Sequence, residues 1–420
     1  DAEAIGLQAT GDLAVSELLA DSPRWTGTLH IQRFNPRDLF RRFDVPPQVN
    51  TDPSVLTSAI IDTRVDITAE RGDFEEMRLQ LDDSTITGNF TVREFRNPEY
   101  DFSLAIDEID IDRYLPPPAD GPNAASGPAE RPLELPTEAM HSLALNGRVV
   151  VDDLKLAGVQ FSAVSTLLDI RNGVGTIDLA RAELYGGDFE GGVELDARSG
   201  IPQLMLEGTA VDLQLDPLLV ALHGESNLSG TGNFDLSLSG IGAIFGDAVA
   251  SAAGRVDFSL REGTIQGLNL GHTMCDYWTI ARRAPRPAAT DTDFTAYQLL
   301  RGSAIVTDGI ARTNDLQATT SFMEVTGRGQ LDMATRDINY DLITTLTDSV
   351  GVAGCETLDR LIGDPIPLEL TGNVNAPDPS FDLGQALRDA ARAELEAARD
   401  EAIDSAEDRL RDRFQELLSD

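Results

Sequence analysis

The sequence is poor in the residues that build catalytic and metal sites. Its 420 residues include only two cysteines and four histidines. It contains no CxxC or HExxH spacing, no nucleophile elbow, no phosphate-binding glycine loop and no dinucleotide-binding glycine pattern. Carboxylates are so numerous that any pair of them carries no information about catalysis. We therefore expect no catalytic residues, no metal ion and no cofactor, and an enzyme is the weaker hypothesis.

Positive charge is also scarce. The chain has 33 Lys and Arg against 71 Asp and Glu, which gives a net charge of −38, and Lys155 is its only lysine. Nucleic acids are bound by clustered basic residues, and acidic membrane surfaces attract polybasic segments. This composition therefore predicts no nucleic-acid partner and no polybasic membrane patch. Aromatic residues make up 6% of the chain, which argues against a carbohydrate platform of exposed rings.

Long apolar runs are absent as well. No stretch of about 18 apolar residues occurs, so the sequence predicts no transmembrane helix, and its first residues do not form a signal peptide. At 41% hydrophobic residues the chain can nevertheless bury a sizeable core. Its length suggests about two or three domains.

The two cysteines, Cys275 and Cys355, leave several interpretations open. His272 lies three residues before Cys275 and could form half of a metal site or a thiol–imidazole nucleophile pair, but no further partner is visible. Two buried free thiols are another possibility. A disulfide formed in an oxidising compartment is the interpretation that we favour.

Alternation of apolar and polar residues with a period of two is the dominant pattern. In the segment 86–92, for example, Ile86, Gly88, Phe90 and Val92 share one face, while the residues between them are polar. Such a pattern is typical of antiparallel strands with one dry and one wet face. Turns are predicted between the strands at five dipeptides: Arg71-Gly72, Asn172-Gly173, Glu262-Gly263, Asp308-Gly309 and Arg336-Asp337.

A weak internal repeat accompanies this alternation. A turn glycine is followed 16–18 residues later by a glycine inside a strand, in the pairs Gly72 and Gly88, Gly173 and Gly191, and Gly309 and Gly327. Repetition of one hairpin unit predicts an elongated sheet in which neighbouring hairpins bury their apolar faces together.

Helical segments and a proline-rich segment divide the chain. Short helices are predicted at 36–43, 217–222, 244–253 and 268–282. Seven prolines lie between residues 116 and 136, which predicts a flexible linker or loop over 116–140. We therefore expect an N-terminal β portion (1–115), a C-terminal β portion (141–380) and an acidic amphipathic helix (381–420).

Six segments, in their order along the chain, resemble the AsmA family of Gram-negative envelope proteins. They are IQRFNPRDLFRRFDV (31–45), LQLDDSTITGNFTV (79–92), IDEIDIDRYLPP (106–117), LARAELYGGDFEGGVELD (179–196), VDLQLDPLLVAL (211–222) and LREGTIQGLNLGHTMC (260–275). The resemblance covers most of residues 29–382 and does not extend to the acidic C-terminal segment. The family's usual N-terminal transmembrane helix is missing here. We therefore expect this chain to be the periplasmic part of a longer protein anchored to the inner membrane.

The resemblance implies a mostly β fold, in which a long, curved antiparallel sheet with short helices forms a groove with an apolar inner face. It also implies that phospholipid or another acyl lipid is the partner, that the protein supports lipid transport to the outer membrane, and that outer-membrane assembly proteins are further partners. The alternation supplies an apolar wall for such a groove. The residues that we expect to line it are Ile67, Leu79, Leu81, Phe90, Val92, Phe102, Leu104, Leu204, Leu206, Phe234, Leu236, Phe258, Leu260, Tyr340, Leu342, Leu368 and Leu370.

Three alternatives stay open from the sequence. The apolar faces could meet in an ordinary sandwich core with no room for a lipid tail. The protein could be a scaffold for outer-membrane protein assembly that recruits a client strand at a sheet edge. It could also be a hydrolase that uses Cys275 with His272.

Overall fold

The computed structural model of the chain describes residues 2–4, 7–16, 23–42, 50–115, 135, 137–288 and 292–384, together with residues 388, 392, 399 and 403. The described residues are mostly β-strands with a few short helices, which confirms the predicted fold class. The predicted linker (116–140) and the predicted C-terminal helix (381–420) lie largely outside the described residues.

The described part of the chain contains twenty strands. They are β1 (Ala2–Ala4), β2 (Leu7–Ser16), β3 (Arg24–Phe34), β4 (Ala59–Ile67), β5 (Arg71–Leu81), β6 (Ser84–Arg93), β7 (Glu99–Asp110), β8 (Ala144–Leu156), β9 (Val159–Arg171), β10 (Val174–Leu184), β11 (Gly187–Asp196), β12 (Gln203–Gln214), β13 (Thr231–Ile241), β14 (Ala253–Gln266), β15 (Phe294–Thr307), β16 (Ile310–Thr319), β17 (Met323–Asp332), β18 (Asp337–Leu346), β19 (Pro365–Asn373) and β20 (Ala376–Phe381).

Short helices lie between some of the strands, close to the four predicted positions. The α-helices are α1 (Pro36–Arg42), α2 (Thr137–Ser142), α3 (Leu215–His223), α4 (Phe245–Ala250) and α5 (Leu270–Arg282), and two 3-10 helices span Ile111–Arg113 and Glu356–Leu361. The sequence pattern predicted α1, α3, α4 and α5 to within a few residues. It did not predict α2, which has only six residues.

The chain divides into two compact units. The first comprises Asp1–Arg261, Gly302–Arg312 and Asp332–Thr335, and the second comprises Glu262–Arg301, Thr313–Leu331 and Arg336–Asp420. The strands on both sides of the proline-rich segment, β7 and β8, belong to the first unit and pair with each other.

In the first unit each strand from β1 to β13 pairs with the next strand along the chain. These pairs are antiparallel with one exception, because β7 and β8 are parallel. Parallel neighbours require a connection that returns to the same end of the sheet, whereas a hairpin turn suffices for antiparallel ones. The long proline-rich stretch therefore falls where the topology needs a crossover.

Two of the five predicted turns have the geometry that hairpins prefer, and two were wrong. In the fifth, Arg336 has a φ of +66° and directly precedes Asp337, the first residue of β18. Asn172 and Gly173 have φ of +52° and +78°, and Asp308 and Gly309 have +51° and +71°, as expected of tight left-handed turns. Arg71-Gly72 instead begins β5, and Glu262-Gly263 lies inside β14. Glu262 has a φ of +51° within a strand, so the local backbone deviates there without ending the strand.

The second unit has a filled hydrophobic core. Helix α5 contributes Met274 and Trp278, which are 0% and 1% exposed, and they pack with residues of β17, β18 and β19. The Trp278 indole donates a hydrogen bond to Thr357 Oγ1 at 3.0 Å. A disulfide joins Cys275 of α5 to Cys355, with their Cα atoms 5.8 Å apart. Helix α5 is thus covalently tied to the loop that precedes the second 3-10 helix.

Replacing either cysteine by serine should destabilise the protein by a similar amount. The disulfide closes a loop with a sequence separation of 80 residues, for which the chain-entropy relation gives on the order of 4–5 kcal/mol. Urea unfolding of C275S, C355S and reduced wild type should give closely similar midpoints, all below that of oxidised wild type. A midpoint equal to the oxidised wild type in either variant would contradict this.

Adding a methyl group at Gly88 should also destabilise the protein. Gly88 has a φ of +142°, and a Cβ there would overlap the carbonyl oxygen of Ser103 on the neighbouring strand. We expect Gly88→Ala to cost about 1–3 kcal/mol in urea unfolding. Gly246→Ala is the matched control, because a Cβ at Gly246 would meet no heavy atom within 4 Å. The prediction fails if both variants unfold at the same urea concentration.

Candidate functional site

The pairing registers of the first unit align apolar residues into rows that run across the strands. Directly paired residues of neighbouring strands point to the same side of a sheet. One row crosses β2 to β13 and consists of Val15, Trp25, Ile67, Gly72, Val92, Tyr100, Leu145, Ile170, Gly175, Leu195, Leu204 and Gly240. Every member of this first row is apolar, a tyrosine or a glycine.

A second row lies two residues further along each strand. It crosses β2 to β14 and consists of Leu13, Gly27, Val65, Phe74, Phe90, Phe102, Gly147, Leu168, Ile177, Val193, Leu206, Leu238 and Gly254. We call the side of β2–β14 that carries these two rows the apolar face. Neither row contains a charged residue, and the parallel pair β7–β8 interrupts neither of them.

All thirteen lining residues predicted within the first unit lie on the apolar face. Six belong to the two rows, and the other seven lie further along the same strands. Leu104, Phe234, Leu236, Phe258 and Leu260 lie at even spacing from the rows, whereas Leu79 and Leu81 lie at odd spacing and reach the same face because the register of β5 shifts by one residue between Phe74 and Met77. The structure therefore brings these residues together on one surface. Their role in binding lipid stays a prediction.

Much of the apolar face is accessible to solvent. Leu13, Trp25 and Ile177, all members of the two rows, are 49%, 44% and 42% exposed. Of the thirteen predicted residues, Leu260 is buried, and the other twelve are partly exposed. A tightly packed sandwich would bury such side chains between its two layers. In the described part of the first unit, the apolar face therefore has the character of an open surface.

Short helices cover the two ends of the strands. At one end, Leu218 and Leu222 of α3 pack against Leu213. At the other end, the Met140 side chain of α2 lies 3.0 Å from the position of a Cβ on Gly175, and the backbone of α4 presses against Gly240. These contacts limit the apolar face at both ends of the strands. The central part of the strands stays accessible.

Aromatic rings gather on β5, β6 and β7. The Phe90 ring lies 6.2 Å from the Phe74 ring and 5.8 Å from the Tyr100 ring, measured between centroids. A Cβ on Gly147 would overlap the Phe102 ring, so the glycine in β8 gives that ring its space. Such ring contacts order the side chains on this part of the apolar face.

Two threonines interrupt the apolar composition of the strands without leaving free polar groups. Thr63 and Thr166 are 7% and 8% exposed. Their hydroxyls donate hydrogen bonds to the backbone carbonyls of Glu75 at 3.1 Å and Asp178 at 3.0 Å. Because each hydroxyl is paired with the backbone, neither presents an unsatisfied donor to an apolar ligand.

The charges lie on the opposite side of the sheet. There Arg71 pairs with Asp73 at 2.7 Å, and Arg24 donates a hydrogen bond to Asp66 at 2.7 Å. The hydrogen bonds from these arginines are the largest cause that lowers the pKa of Asp66 and Asp73 below the usual carboxyl value. The carboxylates of this surface are thus solvated or paired with arginine, away from the apolar face.

The four lining residues predicted in the second unit have different surroundings. Leu342 and Leu368 are 5% and 2% exposed inside the core that α5 covers, and Tyr340 and Leu370 pack against the same core. Burial raises the pKa of Tyr340. Leu342 and Leu368 are therefore core residues and not part of an open surface, whereas Tyr340 and Leu370 are partly exposed at the margin of this core.

The structure decides between the interpretations of the two cysteines in favour of a disulfide. Cys275 is joined to Cys355, so its thiol is not a nucleophile or a metal ligand in this state. His272 Nε2 lies 3.2 Å from the carbonyl oxygen of Ala288. Within the described residues, no three His, Cys, Asp or Glu side chains are close enough together to hold a metal ion.

Several residues of the apolar face were not predicted from the sequence. Strands β8 to β11 contribute Leu145, Leu168, Ile170, Ile177 and Val193. Their alternation was visible in principle, but glycines in β8, β10 and β11 and the adjacent Leu167 and Leu168 in β9 weakened it. What identifies these residues is their pairing with residues of neighbouring strands that already lie on the apolar face. Among the described residues, no helix combines the length and the apolar character needed to cross a membrane.

Sequence comparisons relate much of this chain to known proteins. The AsmA family model matches residues 48–316. The protein AsmA of Escherichia coli (strain K12) is 24% identical over an alignment of 340 residues, which covers 76% of this chain and 54% of that protein. The chain therefore spans about half the length of the curated relative that it matches. No solved structure matches the chain.

Acid should destabilise the protein as its paired carboxylates become protonated. Hydrogen bonds from Ser54 and Arg113 lower the pKa of Asp52 to about 2, and Arg198 does the same for Asp196. Both folded-state values lie below the roughly 3.9 of an unfolded aspartate. The stability that they contribute is thus present above about pH 4 and is lost as the pH falls toward about 2. We expect the melting temperature to fall in that window.

Substituting one arginine tests this assignment. Arg198→Gln should reduce the difference between the melting temperatures at pH 7 and pH 2, because it removes the largest cause of the low pKa at Asp196. Arg301→Gln is the matched control, since Arg301 donates to the neutral Gln317 amide. An equal change in both variants would argue against the carboxylate assignment.

Proposed function

Because the chain belongs to the AsmA family of envelope proteins, we propose that it binds phospholipid acyl chains along the apolar face of β2–β14. In this proposal the protein works in the periplasm and supports the transport of lipid to the outer membrane. The observation that carries the proposal is the pair of uncharged rows that crosses the strands and remains accessible to solvent.

The chemistry of the apolar face suits an acyl chain. A lipid tail has no hydrogen-bonding groups, so a surface that binds it must not leave a polar or charged group unpaired, which would cost several kcal/mol. The two rows carry no charge, and the buried hydroxyls of Thr63 and Thr166 are bonded to the backbone. Each methylene moved from water onto such a surface is stabilised by up to about 0.8 kcal/mol.

The dimensions also suit more than one tail. Neighbouring strands lie about 4.8 Å apart, so the second row, with a residue from each of thirteen strands, follows the sheet for roughly 58 Å. The hydrocarbon core of a bilayer is about 30 Å thick, so the tails of one leaflet extend over roughly 15 Å. The row is several times longer than a single tail, which would let a lipid move along it without leaving the apolar surface.

The alternative is a scaffold that recruits a client strand at a sheet edge, and β20 gives it little support. The Asp382 N–H donates a hydrogen bond to the Pro367 carbonyl oxygen in β19 at 3.0 Å. Because N–H groups alternate in direction along a strand, every second N–H position of β20, counted back from Asp382, also points toward β19. Pro377 and Pro379 therefore occupy positions that point away from β19. Proline has no N–H, which removes the donors that an added strand would need.

A charge placed on the apolar face should abolish lipid binding. We expect wild type purified without detergent to carry phospholipid, detectable by native mass spectrometry and lipid extraction. Phe90→Asp should lose it, because Phe90 lies in the second row and a buried carboxylate beside a tail costs several kcal/mol. Phe234→Asp should act in the same way.

The neighbouring residue provides a matched control. Asn89 is exposed and lies on the opposite side of β6, so Asn89→Asp adds the same charge outside the apolar face. Its Oδ1 accepts a hydrogen bond from the Glu76 N–H, which an aspartate can also accept. N89D should keep its lipid. Lipid-free wild type in repeated preparations, or equal lipid content in F90D and N89D, would refute the proposal.

A further inference from the structure

Three large apolar side chains are exposed together at one end of strands β11–β14. They are Ile201 in the connection from β11 to β12, Ile241 at the end of β13 and Phe245 at the start of α4, and they are 60%, 51% and 38% exposed. Ile201 is the most exposed large apolar side chain of the described residues. We call Ile201 and the segment Ile241–Gly246 the apolar tip. Exposed apolar patches of this kind mark surfaces that bind a partner.

The apolar tip lies beside the end of the apolar face. Ile241 pairs with Gln203, and the next pair along the same two strands is Gly240 with Leu204, which belongs to the first row. Ile201 precedes Gln203 by two residues and lies at the same end of the strands. A molecule that leaves the apolar tip therefore meets the first row directly.

The apolar tip carries apolar side chains on both sides of the sheet. Ile241 points away from the apolar face, because its neighbour Gly240 belongs to the first row and side chains alternate along a strand. Helix α4, which begins at Phe245, lies on the other side, since a Cβ on Gly240 would overlap the backbone of Ala248. A protein that covers a sheet from one side would leave one of these surfaces in water. The hydrophobic effect has no direction, so a fluid bilayer entered by the strand ends contacts both.

The backbone of the apolar tip is suited to an apolar phase. The Ile241 N–H donates a hydrogen bond to Ser251 Oγ at 2.8 Å, and the Gly242 N–H donates to the Pro202 carbonyl oxygen at 3.0 Å. The carbonyl oxygens of Ala243 and Ile244 also accept hydrogen bonds from within the chain. A backbone polar group without a partner would cost several kcal/mol in hydrocarbon. This internal pairing lowers the cost of moving the segment out of water.

Charge is absent from the segment Ile241–Gly246, although 25% of the residues of the chain are charged. The charged residues nearby are the exposed Asp247 and Arg198, and Arg198 is paired with Asp196 at 2.6 Å. These groups limit the depth of insertion to that of the apolar tip. The net charge of −38 repels a negatively charged bilayer. The partner that fits this surface is therefore a bilayer without net charge.

We propose that the apolar tip inserts into the surface of a zwitterionic phospholipid bilayer. The inference rests on the proposed function, because it places the passage of lipid between the bilayer and the apolar face at Leu204 and Gly240. It adds a second kind of lipid contact, made by the strand ends and not by the rows.

Vesicle flotation tests the apolar tip directly. Wild type should bind vesicles of phosphatidylcholine, and it should bind vesicles of equal parts phosphatidylcholine and phosphatidylglycerol more weakly. Ile201→Ser combined with Ile241→Ser should reduce the partition coefficient for phosphatidylcholine vesicles by roughly tenfold, the ratio that about 1.4 kcal/mol gives. Ile305→Ser with Ile343→Ser is the matched control, because these isoleucines are 53% and 43% exposed and do not belong to the apolar tip. The control should bind vesicles as wild type does.

A fluorescent label gives a second measurement that does not depend on removing apolar side chains. Gly246→Cys places a thiol where a Cβ would meet no heavy atom within 4 Å. An environment-sensitive dye on this thiol should shift to shorter wavelength with phosphatidylcholine vesicles, and lipids with doxyl groups on their acyl chains should quench it. The control is Val220→Cys with the same dye, because Val220 is 46% exposed on α3 at the other end of the strands. Its emission should not change.

Several results would overturn the inference. They are the absence of vesicle binding, equal binding by wild type and I201S/I241S, a dye at residue 246 that stays in water, and tighter binding to the vesicles that contain phosphatidylglycerol. A wild type that binds no vesicles and forms dimers which I201S/I241S separates would identify the apolar tip as an interface between copies of the chain, which also contradicts the inference. The proposed function fails separately. Protein that carries phospholipid but binds no vesicles refutes only this inference, and protein that binds vesicles but carries no phospholipid refutes only the proposed function.

Discussion

The arrangement of the first unit depends on keeping charge away from one face of the sheet. Because side chains alternate in a strand, a shift of one residue in any pairing would move a whole set of carboxylates onto the apolar face. The net charge of −38 makes such an error costly, since the unpaired carboxylates would then lie among leucines and phenylalanines. In every pair from β2 to β14, including the parallel pair β7–β8, the observed register keeps the carboxylates off the apolar face.

The two units put the same kind of strand to different use. In the first, helices α2, α3 and α4 reach only the ends of the strands, so the middle of the apolar face stays accessible. In the second, α5 lies over the apolar residues of β17–β19 and is held there by a disulfide and by the Trp278–Thr357 hydrogen bond. An amphiphilic strand thus contributes to an accessible apolar surface or to a core according to whether a helix covers it.

Much of this organisation could be predicted, and the errors have physical causes. The alternation predicted the strands, and apolar spacing with flanking glycine or proline predicted α1, α3, α4 and α5. The turns at Arg71-Gly72 and Glu262-Gly263 were wrong because glycine also occurs inside strands, where it permits close contact with a neighbouring strand. Leu342 and Leu368 were grouped with Phe90 because alternation shows that a side chain faces inward but does not show what lies opposite it.

The sequence by itself determined the class of fold, the side of each strand that avoids water and the exclusion of charge from that side, because these follow from local periodicity. Only the tertiary structure decided the parallel pairing of β7 with β8 and the rows that join residues far apart in the chain. These features arise from contacts between distant segments. One strand's sequence does not specify its neighbour, its register or the helix that covers it.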